Sequence, residues 1–224
     1  MKIRYLAHSS FLVTTAGGAR VLFDPCESGG YGGAIKYRPV TEVSDVVVIS
    51  HEHADHACLA GLAGNPEPIE GLALAKSGPR AVKGVTLRAV HTYHDTSGGQ
   101  ERGENAVTIL EADGLRLCHC GDLGHTLTPE KAREIGPVDV LLIPVGGHFT
   151  IGPDEAAQVV GSLDPAITIP MHYKTAGVDF PIGPVEDFLA GKANVRRIGG
   201  SDLEVTKDSL PLEPEIVVLE PALL

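Results

Sequence analysis

Val46-Val47-Val48-Ile49-Ser50-His51-Glu52-His53-Ala54-Asp55-His56 is the stretch that decides how this chain is read. Its first four residues form a continuous β-branched run, the pattern of a short strand covered on both faces. The run stops at Ser50, and four metal donors, His51, His53, Asp55 and His56, follow within six residues. Imidazole and carboxylate suit zinc, manganese or iron, and a short loop after a strand can aim alternate side chains at two ions. Histidines that merely face water are the other reading of such a loop. It loses ground because more donors follow downstream, close behind runs of strand character: His91 and His94, Asp122, and His172.

Working outward, strands dominate the first half. Ile3 to Leu6, Phe11 to Thr15 and Val21 to Phe23 are short β-rich runs, the last two joined around Gly17-Gly18 as a hairpin. Residues 56–63 read as helical, 73–75 and 84–90 as strands, and His91 to Asn105 as a long polar loop. Ala106 to Glu111 and Leu115 to Cys118 flank Ala112-Asp113-Gly114 as a second hairpin. Thr128-Pro129 is a helix start, with Thr128 as N-cap and Pro129 at the first helical position. Val138 to Val145 is a buried strand, Gly152 to Leu163 a helix, and Ala166 to Pro170 a strand that ends at Met171-His172. A short helix near 184–190 and strands near 203–206 and 215–219 complete the chain. No linker-like or low-complexity break interrupts it, so residues 1–224 read as a single domain.

Composition narrows the function classes. A chain of 224 residues is long enough to bury a core without staples, and with 4% aromatics and no Trp that core must be Val, Ile, Leu and Ala. A net charge of −11 and the lack of any basic run argue against nucleic acid and anionic membranes as partners. Bound divalent metals would place several positive charges at one spot, so a small anionic substrate fits. The sequence begins without a signal-type or membrane-spanning apolar run, and Cys26, Cys58, Cys118 and Cys120 are too sparse for a disulfide framework. A cytoplasmic protein with free thiols is expected, and a homo-oligomer is compatible with the sequence.

The His-x-His-x-Asp-His motif after an apolar strand resembles the signature of the metallo-β-lactamase superfamily. Tyr93-His94-Asp95, Cys120-Gly121-Asp122 and Pro170-Met171-His172-Tyr173 fall in the order that the superfamily requires, and the resemblance spans essentially the whole chain. Arg102-Gly103-Glu104-Asn105 and Pro144-Val145-Gly146-Gly147 add a weaker likeness to the branch holding L-ascorbate 6-phosphate lactonase and uncharacterised metal-dependent hydrolases. The resemblance implies an α/β (α+β) fold, a four-layer αβ/βα sandwich whose metals sit at one edge. It also implies a ligand set. His51, His53 and His94 would hold one ion, Asp55, His56 and His172 a second, and Asp122 would bridge them, with Asp55 and Asp122 as the catalytic carboxylates. Two divalent ions are expected, zinc first, with manganese or iron accepted by the same donors. Ions about 3.5–4 Å apart can share a hydroxide that attacks a carbonyl or phosphorus. Either His91 or His94 could supply the third histidine. His94 is favoured because it stands deeper in the loop and has Asp95 beside it as a possible orienting carboxylate.

Other residues carry two readings each. His119 fits a core histidine or a group behind the ligands. His125 and His148 fit pocket-lining or surface loop positions, and His8 fits a structural hydrogen-bonding histidine better than a ligand. Arg102 and Lys174 are candidates, with His125 and His148, for gripping an anionic substrate. Asp24 can orient ligands or cap a loop, and the Gly-rich segment 28–34 can act as a flap over the site or be plain surface loop. Cys118-x-Cys120 reads as buried free thiols.

Superfamily membership specifies a site, not a reaction. The resemblance disfavours exported drug hydrolases, which carry Cys where Asp122 stands, and nucleases with basic arms. It also disfavours thioesterases with a helical tail and the diiron flavoproteins, which need an acidic residue at position 53. A metal-dependent hydrolase of a small ester, lactone or phosphoester remains, lactonase-like by resemblance. The alternatives are a phosphodiesterase of the acylethanolamine phospholipase type and a metal-binding sensor or scaffold without catalysis.

Overall fold

The computed structural model describes residues 1–224. Six strands form the first sheet: β1 (Lys2–Ala7), β2 (Ser10–Thr14), β3 (Arg20–Phe23), β4 (Val46–Ile49), β5 (Glu67–Glu70) and β13 (Asp202–Glu204). Their order is β13-β1-β2-β3-β4-β5. The second sheet has eight: β6 (Arg80–Val82), β7 (Val85–Tyr93), β8 (Glu104–Ala112), β9 (Leu115–His119), β10 (Val140–Pro144), β11 (Ile167–Met171), β12 (Val195–Arg197) and β14 (Glu215–Val218). These are ordered β12-β14-β11-β10-β9-β8-β7-β6.

Period-two alternation explains how the first sheet packs. Ile3, Tyr5, Phe11, Val13, Val21, Phe23, Val46 and Val48 all enter the main core shared with the second sheet. The intervening Leu6, Leu12, Leu22 and Val47 turn to the opposite face and join Ile35, Tyr37, Val40, Val178, Ile182 and Leu223. The Val46–Ile49 run is therefore apolar throughout because both of its faces are covered. The cover over the outer face is mostly irregular chain, with the single turn α1 (Gly30–Gly33), whose Tyr31 and Gly32 have φ of 50° and 66°. On the other side α2 (Gly71–Ser77) packs on β7 and β8, α3 (Pro129–Ile135) on β7, and α4 (Pro153–Leu163) on β10, while α5 (Val185–Leu189) packs on α4. The α/β sandwich expected from the sequence is the one found.

Local expectations differ in three places. Residues 56–63 form turns, not a helix. His56 N and Ala57 N both bond to His53 O, Cys58 N is drawn off to Pro25 O, and Gly61 takes a φ of 76° that no helix accommodates. Residues 73–75 lie inside α2, where the Leu and Ala run expresses its helix propensity. The strand sits just before it, as β5. The expected loop from His91 is shorter, since β7 continues to Tyr93 and pairs with β8 through Tyr93–Glu104. Thr128 caps α3 as expected, accepting from Lys131 N at 3.3 Å.

Candidate metal centre

Strand directions bring the donors together. β9, β10 and β11 run parallel, so the chain leaving β9 toward Asp122 and the chain leaving β11 at His172 emerge at the same edge. β7 is antiparallel to β8, and β8 to β9, so β7 delivers His94 to that edge as well. From the facing sheet, β4 ends there and supplies residues 51–56.

Asp122 is the hub, and it is only 2% exposed. Its Oδ2 lies 3.1 Å from His94 Nε2, 3.9 Å from His51 Nε2 and 3.4 Å from His172 Nε2. Its Oδ1 lies 3.0 Å from His56 Nε2. One carboxylate oxygen thus faces donors from both of the sets expected from the sequence. Three ion-sized groups of donor atoms result: His51, His53 and His94; His51, His56 and Asp122; and Asp55, His56 and His172, which His8 joins. Donors around one zinc, each about 2.0–2.2 Å from it, stand at similar mutual separations.

The buried polar atoms fit such ions. His56 Nε2 and Asp122 Oδ1 are close, yet neither makes a hydrogen bond of acceptable geometry with any group. Orphaned buried polar atoms are costly and rare in folded proteins, and a cation bound between them would satisfy this pair. Electrostatics agree. Burial, then His56, pushes His51 down to about 3, and burial, then His94, lowers His53, so both imidazoles stay neutral, the ligating form. Burial would raise Asp122, but His172 and His56 outweigh it and hold the carboxyl well below the usual range. Asp55 is lowered in the same way against its burial, by His56 and His8. His56 moves the other way. Burial would lower it, but Asp122 and Asp55 prevail and raise it well above the ordinary value. A proton on His56 here carries the positive charge that a bound cation would replace.

A second layer sets the tautomers. Asp24, at the end of β3 with φ 43°, accepts from Ser50 N at 2.7 Å, from Ser50 Oγ at 2.7 Å and from His56 Nδ1 at 2.8 Å. An ionised carboxylate only accepts, so Ser50 Oγ gives its one proton to Asp24 and must accept from His51 Nδ1 at 2.9 Å. With an ion in place of the extra proton on His56, both His51 and His56 would carry their single protons on Nδ1 and turn Nε2 lone pairs to the centre. Asp24 therefore orients the His51 and His56 rings, in line with one of its two sequence readings. Asn105 plays a matching part that its sequence position did not reveal. It accepts from Asp122 N at 2.9 Å and donates to Cys120 O at 2.9 Å and Thr92 Oγ1 at 2.8 Å. Gly121 lets this happen: with φ 56°, a Cβ there would lie 2.4 Å from Asn105 Oδ1 and 2.6 Å from Ser50 Cβ.

The remaining candidates separate by position. His91 stays on β7, bonded to Glu104 at 2.8 Å, so His94 is the histidine brought to the centre. Asp95 does not orient His94. Its carboxylate accepts four backbone N–H groups, from Ser97, Gly99, Glu101 and Arg102, and organises the loop instead. Those bonds outweigh its burial and hold it at about 2. His119 is both of the things proposed for it: it stacks on Phe23 at 5.3 Å, donates to Ser9 O at 2.8 Å, and lies 3.8 Å from Asp24. Lys174 does not reach the site, because its ammonium donates to Phe180 O at 3.0 Å.

A cavity of about 370 Å³ opens over the donors, lined by Tyr31, Arg102, Phe149 and Phe180 beside the Asp and His residues. It shares His94, Glu101, Arg102 and Phe149 with an outer cleft of about 840 Å³, which His125 and His148 also line. Arg102, His125 and His148 thus border the approach to the site. Tyr31 brings the Gly-rich segment into it by donating to Asp55 Oδ1 at 3.1 Å. Burial, then Asp55, raises the Tyr31 phenol well above its ordinary value, so it stays a neutral donor. Sequence reading missed Tyr31, Phe149 and Phe180, since isolated aromatics in loops give no periodic signal.

Comparison with known proteins settles the family. Residues 2–172 match the model of the beta-lactamase superfamily domain. The chain belongs to the beta-lactamase superfamily. Among its superfamily relatives, a UPF0173 metal-dependent hydrolase of Thermococcus onnurineus is 34% identical over 196 residues, covering 78% of this chain and 85% of that one. A solved metallo-beta-lactamase superfamily protein of Thermotoga maritima is 36% identical, with TM-score 0.79 and 98% of each chain covered. A more distant solved structure from Parabacteroides distasonis, 21% identical with TM-score 0.65, shares the fold. Superfamily membership accounts for the paired sheets and the shared edge. No helix of this superfamily member is long and apolar enough to cross a membrane.

Proposed function

We propose that this metal-dependent hydrolase holds two divalent ions, zinc first with manganese or iron as alternatives, and cleaves a small ester, lactone or phosphoester. The observation that carries the reading is Asp122 Oδ2, faced by His51 and His94 on one side and His172 on the other beneath an open cavity. His51, His53 and His94 would hold one ion, Asp55, His56 and His172 the other, with Asp122 shared. Divalent ions so held supply a water nucleophile at neutral pH and Lewis-acid polarisation of the scissile group.

The chain's own residues do the rest. Asp24 and Ser50 keep His51 and His56 in the ligating tautomer. Tyr31 offers a neutral phenol beside Asp55, able to turn its one proton from that carboxylate to an oxygen of the bound substrate. Phe149 and Phe180 pack edge to face at 5.7 Å and give the open cavity an apolar wall. Arg102, 5.8 Å from the Phe149 ring, supports an anionic or carbonyl-bearing end of a substrate that extends into the outer cleft. The small-molecule reading also agrees with an acidic chain of net charge −11, which repels polyanions.

The test is a panel of lactones, carboxylic esters and phosphodiesters, run on chelator-stripped protein reloaded with zinc, manganese or iron(II) in turn, alongside metal analysis. About two ions per chain and turnover of one substrate class are expected. Protein that takes up no metal overturns the site, and two bound ions with the whole panel intact favours a sensor without catalysis.

A further inference from the structure

His8 was expected to be a structural histidine satisfied by hydrogen bonds, and the structure shows otherwise. It is 1% exposed, and neither ring nitrogen has a hydrogen-bond partner. Its backbone is held in the left-handed region, φ 44°, a conformation costing roughly 1–2 kcal/mol in a residue with a Cβ. Two bonds hold it there: its carbonyl accepts from Tyr5 Oη at 2.8 Å and from His172 N at 3.1 Å. The second ties the end of β1 to the end of β11, across the two sheets and at the candidate metal centre. His172 has φ 51° itself. Such strain persists where the surroundings over-determine it, and it clusters at functional sites.

The side chain points the same way. His8 Nε2 lies 3.6 Å from Asp55 Oδ2, its ring centroid 4.0 Å from that of His172, and Phe180 closes its other side at 5.6 Å. Two imidazoles on one ion, each about 2.0–2.1 Å from it, would hold their ring centroids on the order of 5 Å apart at a tetrahedral angle. At 4.0 Å, the His8 and His172 rings stand closer than two imidazoles sharing an ion would. A shift of about 0.8 Å would instead bring His8 Nε2 within the charge-assisted hydrogen-bond range of Asp55 Oδ2, about 2.7–2.9 Å.

We propose that His8 is a positioning residue of the second metal pocket, orienting Asp55 through Nε2 and backing His172 with its ring, without itself being a ligand. This rests on the two-metal reading above. Outer partners of metal ligands are worth roughly 10–100-fold in affinity. A pinned carboxylate and a backed imidazole lose less freedom on binding.

The experiment is calorimetric titration of chelator-stripped protein with manganese and with zinc, on wild type, His8→Phe and His8→Gln. Phe keeps the ring that backs His172 and removes the donor, while Gln keeps an N–H near Nε2 and removes the imidazole. His8→Phe is expected to bind one ion as wild type does and the other roughly 10–100-fold more weakly. His8→Gln is expected to recover most of that loss, which a merely structural histidine would not allow. Thermal melts of the metal-free variants, matching wild type, show that the fold is kept. Two wild-type affinities in His8→Phe overturn the proposal. Equal losses in Phe and Gln overturn it too, since the imidazole itself would then be a ligand. Wild type that binds fewer than two ions overturns the two-metal reading, and the role of His8 with it.

Discussion

Replacing Asp24 by Asn changes one atom and tests the whole second layer. The carboxylate accepts from Ser50 N, Ser50 Oγ and His56 Nδ1 at 2.7, 2.7 and 2.8 Å, and it is 1% exposed, so no water can take its place. The Asn oxygen can still accept from Ser50 N. The Asn amide, however, now points N–H groups at Ser50 Oγ and His56 Nδ1. Ser50 must accept from Asn and turn its proton toward His51 Nδ1, and His56 must give up its Nδ1 proton to accept as well. Both imidazoles are driven to the tautomer protonated on Nε2, the atom each needs for the ion. Breaking this layer is expected to cost about 10–100-fold in metal affinity, which is about 1.4–2.8 kcal/mol at 1.4 kcal/mol per tenfold. The ion served by His56 should suffer most, because its bond to Asp24 is direct, while His51 reaches Asp24 only through Ser50. The assay is competition of the apo protein with a chelator of known affinity, for zinc and manganese separately, with circular dichroism to confirm the fold. Asp24→Asn protein that is folded and binds both ions as tightly as wild type would refute the tautomer argument.

Tyr31→Phe should leave the melting temperature near wild type, since Tyr31 is 52% exposed, and should weaken the ion held by Asp55 by no more than about 3–10-fold, the worth of the one bond its phenol makes. It should lower kcat/KM on any substrate the panel reveals by about 3–10-fold, the worth of one hydrogen bond of roughly 0.5–1.5 kcal/mol; unchanged kcat/KM would remove Tyr31 from the site. The metal-free protein should lose stability in acid. Burial, with His172, lowers His8 to about 4 from an unfolded value near 6.5, so between those values the unfolded chain binds more protons and stability falls as pH falls. That one residue accounts for up to about 3 kcal/mol at 1.36 kcal/mol per pH unit, and His51, lowered to about 3, extends the loss further. His56, raised, works in the opposite sense and loses its contribution only at higher pH. Urea midpoints of chelator-stripped protein should therefore drop between pH 7.5 and 4.5, and a level or rising midpoint would show that these histidines are not held neutral.

How much of this was legible in the sequence depends on whether the signal is local. The Val46–Ile49 strand and the donors after it could be read because burial on both faces and donor density leave marks in adjacent residues. The edge shared by His94, Asp122 and His172 was implied by the superfamily resemblance that their motifs carry. Geometry that depends on distant partners left no such mark. Residues 56–63 have helical composition, yet Pro25 O captures Cys58 N from the far side of a loop. Asp95 sits beside His94 in sequence, and its four backbone donors lie further along its own loop. Lys174 carries the right charge near His172, but Phe180 O holds it away from the cavity. Asn105 gave no hint of its role, because its partners are Thr92, Cys120 and Asp122.

The backbone at the site shows why the sheets and the chemistry are one construction. His8, Asp24 and His172 end β1, β3 and β11, and all three are non-glycine residues at positive φ, 44°, 43° and 51°. A glycine would relieve the strain at each, but it would delete an imidazole or a carboxylate from the centre. At roughly 1–2 kcal/mol apiece the three cost several kcal/mol, a large share of the 5–15 kcal/mol that stabilises an ordinary domain. The continuous core between the sheets offsets that cost, and it is built on these same strands: Ile3 and Tyr5 from β1, Val21 and Phe23 from β3, Ile167 and Ile169 from β11. Each strand therefore anchors in the core a few residues before it turns left-handed to present a functional group. The strain is local, while the packing that sustains it is not. This is why His8, which has no motif around it, could be recognised only once β1 and β11 were seen to meet.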